Sequence, residues 1–229
     1  MIDAARLAER GEPHGTVVVA EHQTDGIGRH GHKWHSEPGD GLYISIILRL
    51  TLPPDALPVL TMALGLAVQE AVNLVAGVQA DLRWPNDVIL NEKKLAGTIV
   101  QQPQKNALIA GIGINVAHRQ FPEELRSIAT SLWIETGSEV SKEVLLDTVV
   151  EEVLRFSQIV EKEGKAEILR QFASKSSYVR GKRVVVDGTL RGVTAGLNDD
   201  GFLLLETPTG IETILTGGVR TEDEPASPG

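Results

Sequence analysis

The segment Gly-Ile-Gly-Arg-His-Gly at residues 26–31 matches G-x-G-x-x-G and follows a β-rich run at 16–21. A dinucleotide-binding fold needs a helix to begin inside that motif, because the pyrophosphate rests on the helix N-terminus. Here the chain continues Lys-Trp-His-Ser-Glu-Pro-Gly-Asp-Gly, and Pro38, Gly39 and Gly41 leave no room for a helix. The next apolar run, 42–50, reads as a strand. The motif therefore predicts strand, glycine loop, strand, and its dinucleotide reading fails for lack of context. What is left is a loop whose backbone can close on an anion, with Arg29 able to grip a phosphate or carboxylate. A solvated hairpin loop is the other reading of the loop taken alone.

The rest of the chain fills in around it. Residues 2–10 read as a short helix, and 56–76, nearly all apolar, as a long helix buried over most of its circumference. Strands are predicted at 81–84 and 88–90 around a Pro-Asn-Asp turn, at 95–102 after a polar turn at 91–94, and at 107–116. Helices follow at 141–163, with Ser141 as N-cap, and at 165–173. From Tyr178 short strands alternate with Asp-Gly and Thr-Pro-Thr-Gly turns, the pattern of a small barrel. The division expected is 1–176, 177–220, and an acidic, disordered tail at 221–229.

Composition excludes some chemistries. With no cysteine among 229 residues, disulfides, thiolate catalysis and zinc–thiolate sites are ruled out. A formal net charge of −9 argues against a broad nucleic-acid or membrane surface. The N-terminus lacks the apolar core of a signal peptide, and no stretch reads as a membrane span, so a cytoplasmic protein is expected. His22, His30, His32 and His35 cluster in sequence, but a glycine loop is a poor metal cage; solvated histidines and no dedicated metal site are expected.

Further motifs follow in order: Arg-Trp-Pro-Asn-Asp at 83–87, Lys-Lys-Leu-Ala-Gly at 93–97 and Gly-Ile-Gly-Ile-Asn at 111–115. With the glycine loop, these segments closely resemble the biotin–protein ligases, over about residues 2–220. The resemblance implies an α+β fold: a mixed, largely antiparallel sheet of the class II synthetase type, packed by helices on one face, with a small SH3-like barrel at the C-terminus. It implies ATP, Mg2+ and biotin as reactants, giving biotinyl-5′-AMP. A lysine of a biotin carboxyl carrier protein, that of acetyl-CoA carboxylase, then attacks it. A ligase without a DNA-binding domain and with no nucleic-acid partner is implied, and a homodimer is compatible. A lipoate ligase of the same fold and a non-catalytic biotin- or adenylate-binding protein are the rivals.

Roles follow from the same resemblance. Two anions must be brought together, which calls for cations at the junction. Lys94 would sit at the biotin carboxylate and α-phosphate; an exposed turn lysine is the alternative. Arg29 would grip the phosphates or order the loop, and Gln23 would contact biotin. Gly26, Gly28 and Gly31 would let the loop fold over, and Trp34 would pack along the adenine side. Gly97 would admit biotin close to its strand, with Leu95 lining the pocket. Asn86 would bond the adenylate phosphate or a magnesium water, and Asp87 would orient the carrier lysine or assist a metal. Gly113 and Asn115 would form the adenine site. Two departures from the family pattern stand out. Ile27 and His32 replace the outer loop arginines, so looser retention of the adenylate is expected. The family's Ser-Thr segment that bonds the biotin ring would fall at or before Met1, so weaker biotin binding is expected.

Overall fold

The structure, a computed structural model, describes residues 1–26, 28–31 and 34–222, without the side chains of His30 and Pro54. Ile27, His32 and tail residues 223–229, on which three of the expectations above fall, lie outside the described residues.

A six-stranded sheet is built from residues 17–115, within the first half or so of the chain. Its order is β1 (Val17–Ala20), β2 (Gly41–Leu48), β6 (Ala107–Asn115), β5 (Lys93–Gln104), β4 (Asp87–Leu90), β3 (Asp81–Arg83). Every strand pairing is antiparallel; a lone parallel bridge joins Lys94 to Ala129. The strand after the Asn91–Glu92 turn begins at Lys93, two residues earlier than expected, so Lys94 stands on a strand. Both turn residues adopt positive φ, which completes the reversal in two residues.

Helix α2 (Leu57–Ala76) lies on one face, against α4 (Lys142–Lys162) and α5 (Lys165–Lys175). By length and composition α2 could cross a membrane, which corrects the reading that no stretch is long and apolar enough. Its apolar circumference is instead consumed by the protein core: Leu60, Leu64, Val68 and Val72 are fully buried. Helix α1 (Ile2–Glu9) covers the opposite face, where Ala4 and Ala8 pack on Ile47 and Ile109. The helices are thus not confined to one side, because successive residues of β2 and β6 point to opposite faces and both must be covered. Ser131 and Ser141 cap α3 (Leu132–Thr136) and α4 through side-chain oxygens, each worth about 1 kcal/mol.

A five-stranded antiparallel sheet follows, ordered β10 (Gly210–Ile214), β9 (Leu203–Thr207), β8 (Leu190–Leu197), β7 (Arg180–Val186), β11 (Val219–Thr221). It is seated on the first unit at specific points. Buried Trp84 donates its indole N–H to the Gly201 carbonyl at 2.8 Å. Lys165 reaches Asp55 at 2.8 Å and Asp200 at 2.6 Å, which raises its pKa well above that of an ordinary lysine.

His118 is fully buried and stacks on Phe121 at 4.9 Å, with neither ring nitrogen bonded among the described residues. Burial lowers its pKa below the ordinary 6.5. The folded chain binds this proton less readily than the unfolded chain, so this contribution to stability is present above pH 6.5 and is lost as pH falls below it. His118→Phe should therefore lose less stability between pH 7.5 and pH 5.5 than the parent, in paired urea unfolding curves. Equal losses would refute the assignment.

Candidate active site

The cavity of about 500 Å³ opens on the sheet face opposite α2. Its floor is built from glycines of two paired strands. Gly97 faces Gly113 across the β5–β6 ladder, and Gly111 lies two residues along. Side chains have come down onto the bare backbone. A Cβ on Gly113 would fall 2.8 Å from Trp34 Cε2, and one on Gly97 3.1 Å from Trp34 Cζ3. Gly111 lies under the Met1 thioether. The Trp34 indole N–H is buried without a partner among the described residues, which leaves a donor at the floor of the slot.

One wall carries the charge. Asp87 Oδ1 lies 2.6 Å from Lys94 Nζ, and Asp87 Oδ2 lies 3.1 Å from Arg83 Nη2. Burial alone would raise the Asp87 pKa; the two cations outweigh it and hold the carboxyl below its ordinary range. Two positive charges share one negative, so the cluster carries a net positive charge toward the cavity. Lys94, more exposed than Arg83 or Asp87, is the cation a ligand can reach, and its ammonium lies 5.4 Å from the Trp34 ring. The backbone of Lys94 is fixed on both sides: its N–H donates to Ile128 and its carbonyl accepts from Thr130.

The glycine loop supplies the roof. Trp34 N–H donates to the Gly26 carbonyl at 2.8 Å, and Gln23 N–H to Ser36 Oγ at 2.8 Å, which staples the loop base. Gly26 packs against the Gln23 amide and Trp34, while Gly31, at φ +78°, stands away from the cavity lining. Gly28 and Arg29 face the cavity. Arg29 Nη1 approaches Asn86 Oδ1 at 3.4 Å and Nη2 approaches Thr216 Oγ1 at 3.2 Å. Asn86 is itself held by donation to the Thr98 carbonyl at 2.8 Å.

The structure brings Lys94, Asp87, Arg29, Gln23, Gly28, Trp34, Asn86, Gly97, Gly113 and Asn115 around one cavity. It corrects the assignment of Leu95. Leu95 is fully buried in the core and does not line the pocket, because the register shift opposite Val88 and Ile89 makes it the extra residue of a bulge, so that Leu95 and Ala96 both enter the core. Asn115 is buried, and its amide donates to the Thr130 carbonyl at 2.9 Å and toward Lys94 O at 3.5 Å. Through that amide it braces the segment carrying Lys94, and it also lines the cavity. His35 is also no solvated loop histidine: it packs against His118 and Phe121. Sequence reading missed Arg83, Gly111, Asp187 and Thr216. The first two sit inside or beside quoted motifs; the last two carry no local signal.

The chain can now be set against known proteins. Residues 3–117 match the model of the biotin/lipoate A/B protein ligase family, and residues 179–219 match that of the biotin protein ligase C terminal domain. The chain belongs to the biotin/lipoate A/B protein ligase family. It is similar to the bifunctional ligase/repressor BirA of Bacillus subtilis, 35% identical over 95% of this chain and 69% of that protein. The biotin–[acetyl-CoA-carboxylase] ligase of Paracoccus denitrificans is 30% identical, over 86% of each chain. Among solved structures, the biotin protein ligase from Aquifex aeolicus in complex with biotin and ATP superposes with a TM-score of 0.84. It is 35% identical, covering 95% of this chain and 94% of that one. The α+β fold with a second C-terminal sheet is that of these ligases.

Proposed function

We propose that the chain is an ATP-dependent biotin–protein ligase. The observation that carries the reading is the Lys94 ammonium beside a two-strand glycine floor on which Trp34 rests, in a chain of this family. In the first step a biotin carboxylate oxygen attacks the α-phosphorus of MgATP, and pyrophosphate leaves. Both reactants are anionic, so a net positive wall lowers the barrier where negative charge gathers. Lys94 moves from Asp87 to the carboxylate and α-phosphate oxygens, and Arg83 keeps Asp87 paired meanwhile. In the second step a carrier lysine amine attacks the acyl carbon, AMP leaves, and the amine gives up a proton. Asp87, close to the junction and ionised, orients that amine.

The glycine floor suits a ligand that must lie flat against two strands, and Trp34, which rests on that floor, would lift to admit it. Magnesium enters with ATP as part of the substrate. We take the acceptor to be the biotin carboxyl carrier protein of acetyl-CoA carboxylase, and the compartment to be the cytoplasm. Residues 1–176 would form the ligase unit and 177–220 the SH3-like unit. Two copies pairing through edge strand β1 would give a dimer.

The test is transfer of labelled biotin to a carrier domain with and without MgATP, with lipoate in parallel. ATP-dependent labelling by biotin is the expected result. Labelling by lipoate alone would replace the reading with a lipoate ligase. Biotin retention with no ATP-dependent product would make the chain a binding protein.

A further inference from the structure

We propose that Thr216, on the C-terminal sheet, is a positioning residue for Arg29, and that through it this sheet forms the wall that retains the adenylate between the two steps. The inference rests on the ligase reading above.

Arg29 opens a single 3-10 turn, Arg29–Gly31, with Gly28 before it, and its long side chain needs outside contacts to fix the guanidinium. Two contacts from outside the loop orient it: Asn86 at 3.4 Å and Thr216 at 3.2 Å. Asn86 is anchored to β5 through the Thr98 carbonyl. Thr216 is anchored differently. It lies between β10 and β11, next to Gly217 and Gly218, which line the cavity. Asp187, in the β7–β8 turn, pins that segment twice: Oδ1 accepts the Gly218 N–H at 2.7 Å, and its own N–H donates to the Gly218 carbonyl at 3.0 Å. A Cβ on Gly217 would lie 2.7 Å from Asp187 Oδ2, so only glycine lets the segment come this close. The whole sheet is registered on the first unit by the buried Trp84–Gly201 bond and by Lys165. The Thr216 hydroxyl is therefore fixed relative to the Asn86 turn, and Arg29 spans the gap over the cavity mouth.

An arginine held at two of its nitrogens presents its remaining donors in one direction. Releasing one hold leaves the charge in place but lets the guanidinium swing, which speeds escape of a bound anion more than it slows bond making. A hydrogen bond to a charged group is worth enough to change an off-rate about tenfold.

The experiment uses Thr216→Val, which keeps the shape and removes the acceptor, and Thr216→Ser, which keeps the hydroxyl. The chain is loaded with labelled biotin and MgATP, stripped of free ligand by gel filtration, and the loss of labelled adenylate is followed. Thr216→Val should release adenylate about tenfold faster, with a smaller change in first-turnover pyrophosphate release, and Thr216→Ser should retain it like the parent. Retention by the valine variant equal to the parent, or release by the serine variant as fast as by valine, would overturn the proposal. NMR relaxation of the Arg29 Nε–H gives a reading without turnover: it should become more mobile in Thr216→Val alone. If the parent forms no adenylate, the ligase reading fails. An Arg29 Nε–H equally rigid in parent and valine variant refutes the positioning role by itself.

Discussion

Replacing Lys94 with methionine should slow pyrophosphate release by about 10²–10³-fold and leave the fold intact. The rate falls because a cation at the junction of two anions stabilises charge that gathers in the transition state, in a partly enclosed site where water screens it weakly. Two of the other cations at the cavity are already committed: Arg83 is paired with Asp87, and Arg29 is tied to Asn86 and Thr216. The fold survives because Asp87 keeps its 3.1 Å pair with Arg83. Removing Asp87 is different: Asp87→Asn would leave two close cations with no counter-charge, and a broken partly buried pair is strongly destabilising. The check is a single-turnover pyrophosphate assay beside thermal unfolding. A rate within threefold of the parent would remove Lys94 from the chemistry.

Gly113→Val should abolish ligand binding, weakening both biotin and ATP by more than about 100-fold. The new Cβ would start 2.8 Å from the Trp34 ring, closer than carbon atoms approach without displacement. The strand cannot yield, because Gly113 is paired with Tyr43 on one side and Gly97 on the other. Trp34 must lift, and two methyl groups then occupy the floor on which a ligand would lie. The core on the far face is untouched, so the melting temperature should change little. Equilibrium dialysis with labelled biotin and with ATP measures this, and dissociation constants within threefold of the parent would show that the glycine floor is not the binding surface.

Much of this site can be read in the one-dimensional pattern, where the signal is local. Pro38 and Gly39 follow the glycine loop closely enough to forbid a helix. The apolar run of α2 announces a core helix, although the same run satisfies the length test for a membrane span, and only its packing against the sheet and α4 separates the two. The Lys94 and Asp87 motifs are seven residues apart and can be named as a pair of charges. Leu95 shows the limit: strand alternation places it on the face of Gly97, in the pocket, yet a bulge opposite Val88 and Ile89 turns it into the core. Asn115 shows another. It lines the cavity, but only the fold shows that its amide also braces the Thr130 carbonyl, fifteen residues on.

By itself, then, the sequence determined that a glycine loop joins two strands, that a long helix is buried, that no thiol takes part, and which charged and amide side chains were on hand for the chemistry. These follow from backbone sterics, hydrophobic period and composition, which act between neighbours. The tertiary structure alone decided that Arg83 stands behind Asp87, that Trp34 covers the Gly97–Gly113 floor, and that Thr216 arrives at Arg29 from 187 residues away. Such meetings depend on how β2 pairs with β6 and how the C-terminal sheet seats on Trp84. Those are outcomes of burying whole faces at once, and no local stretch encodes them.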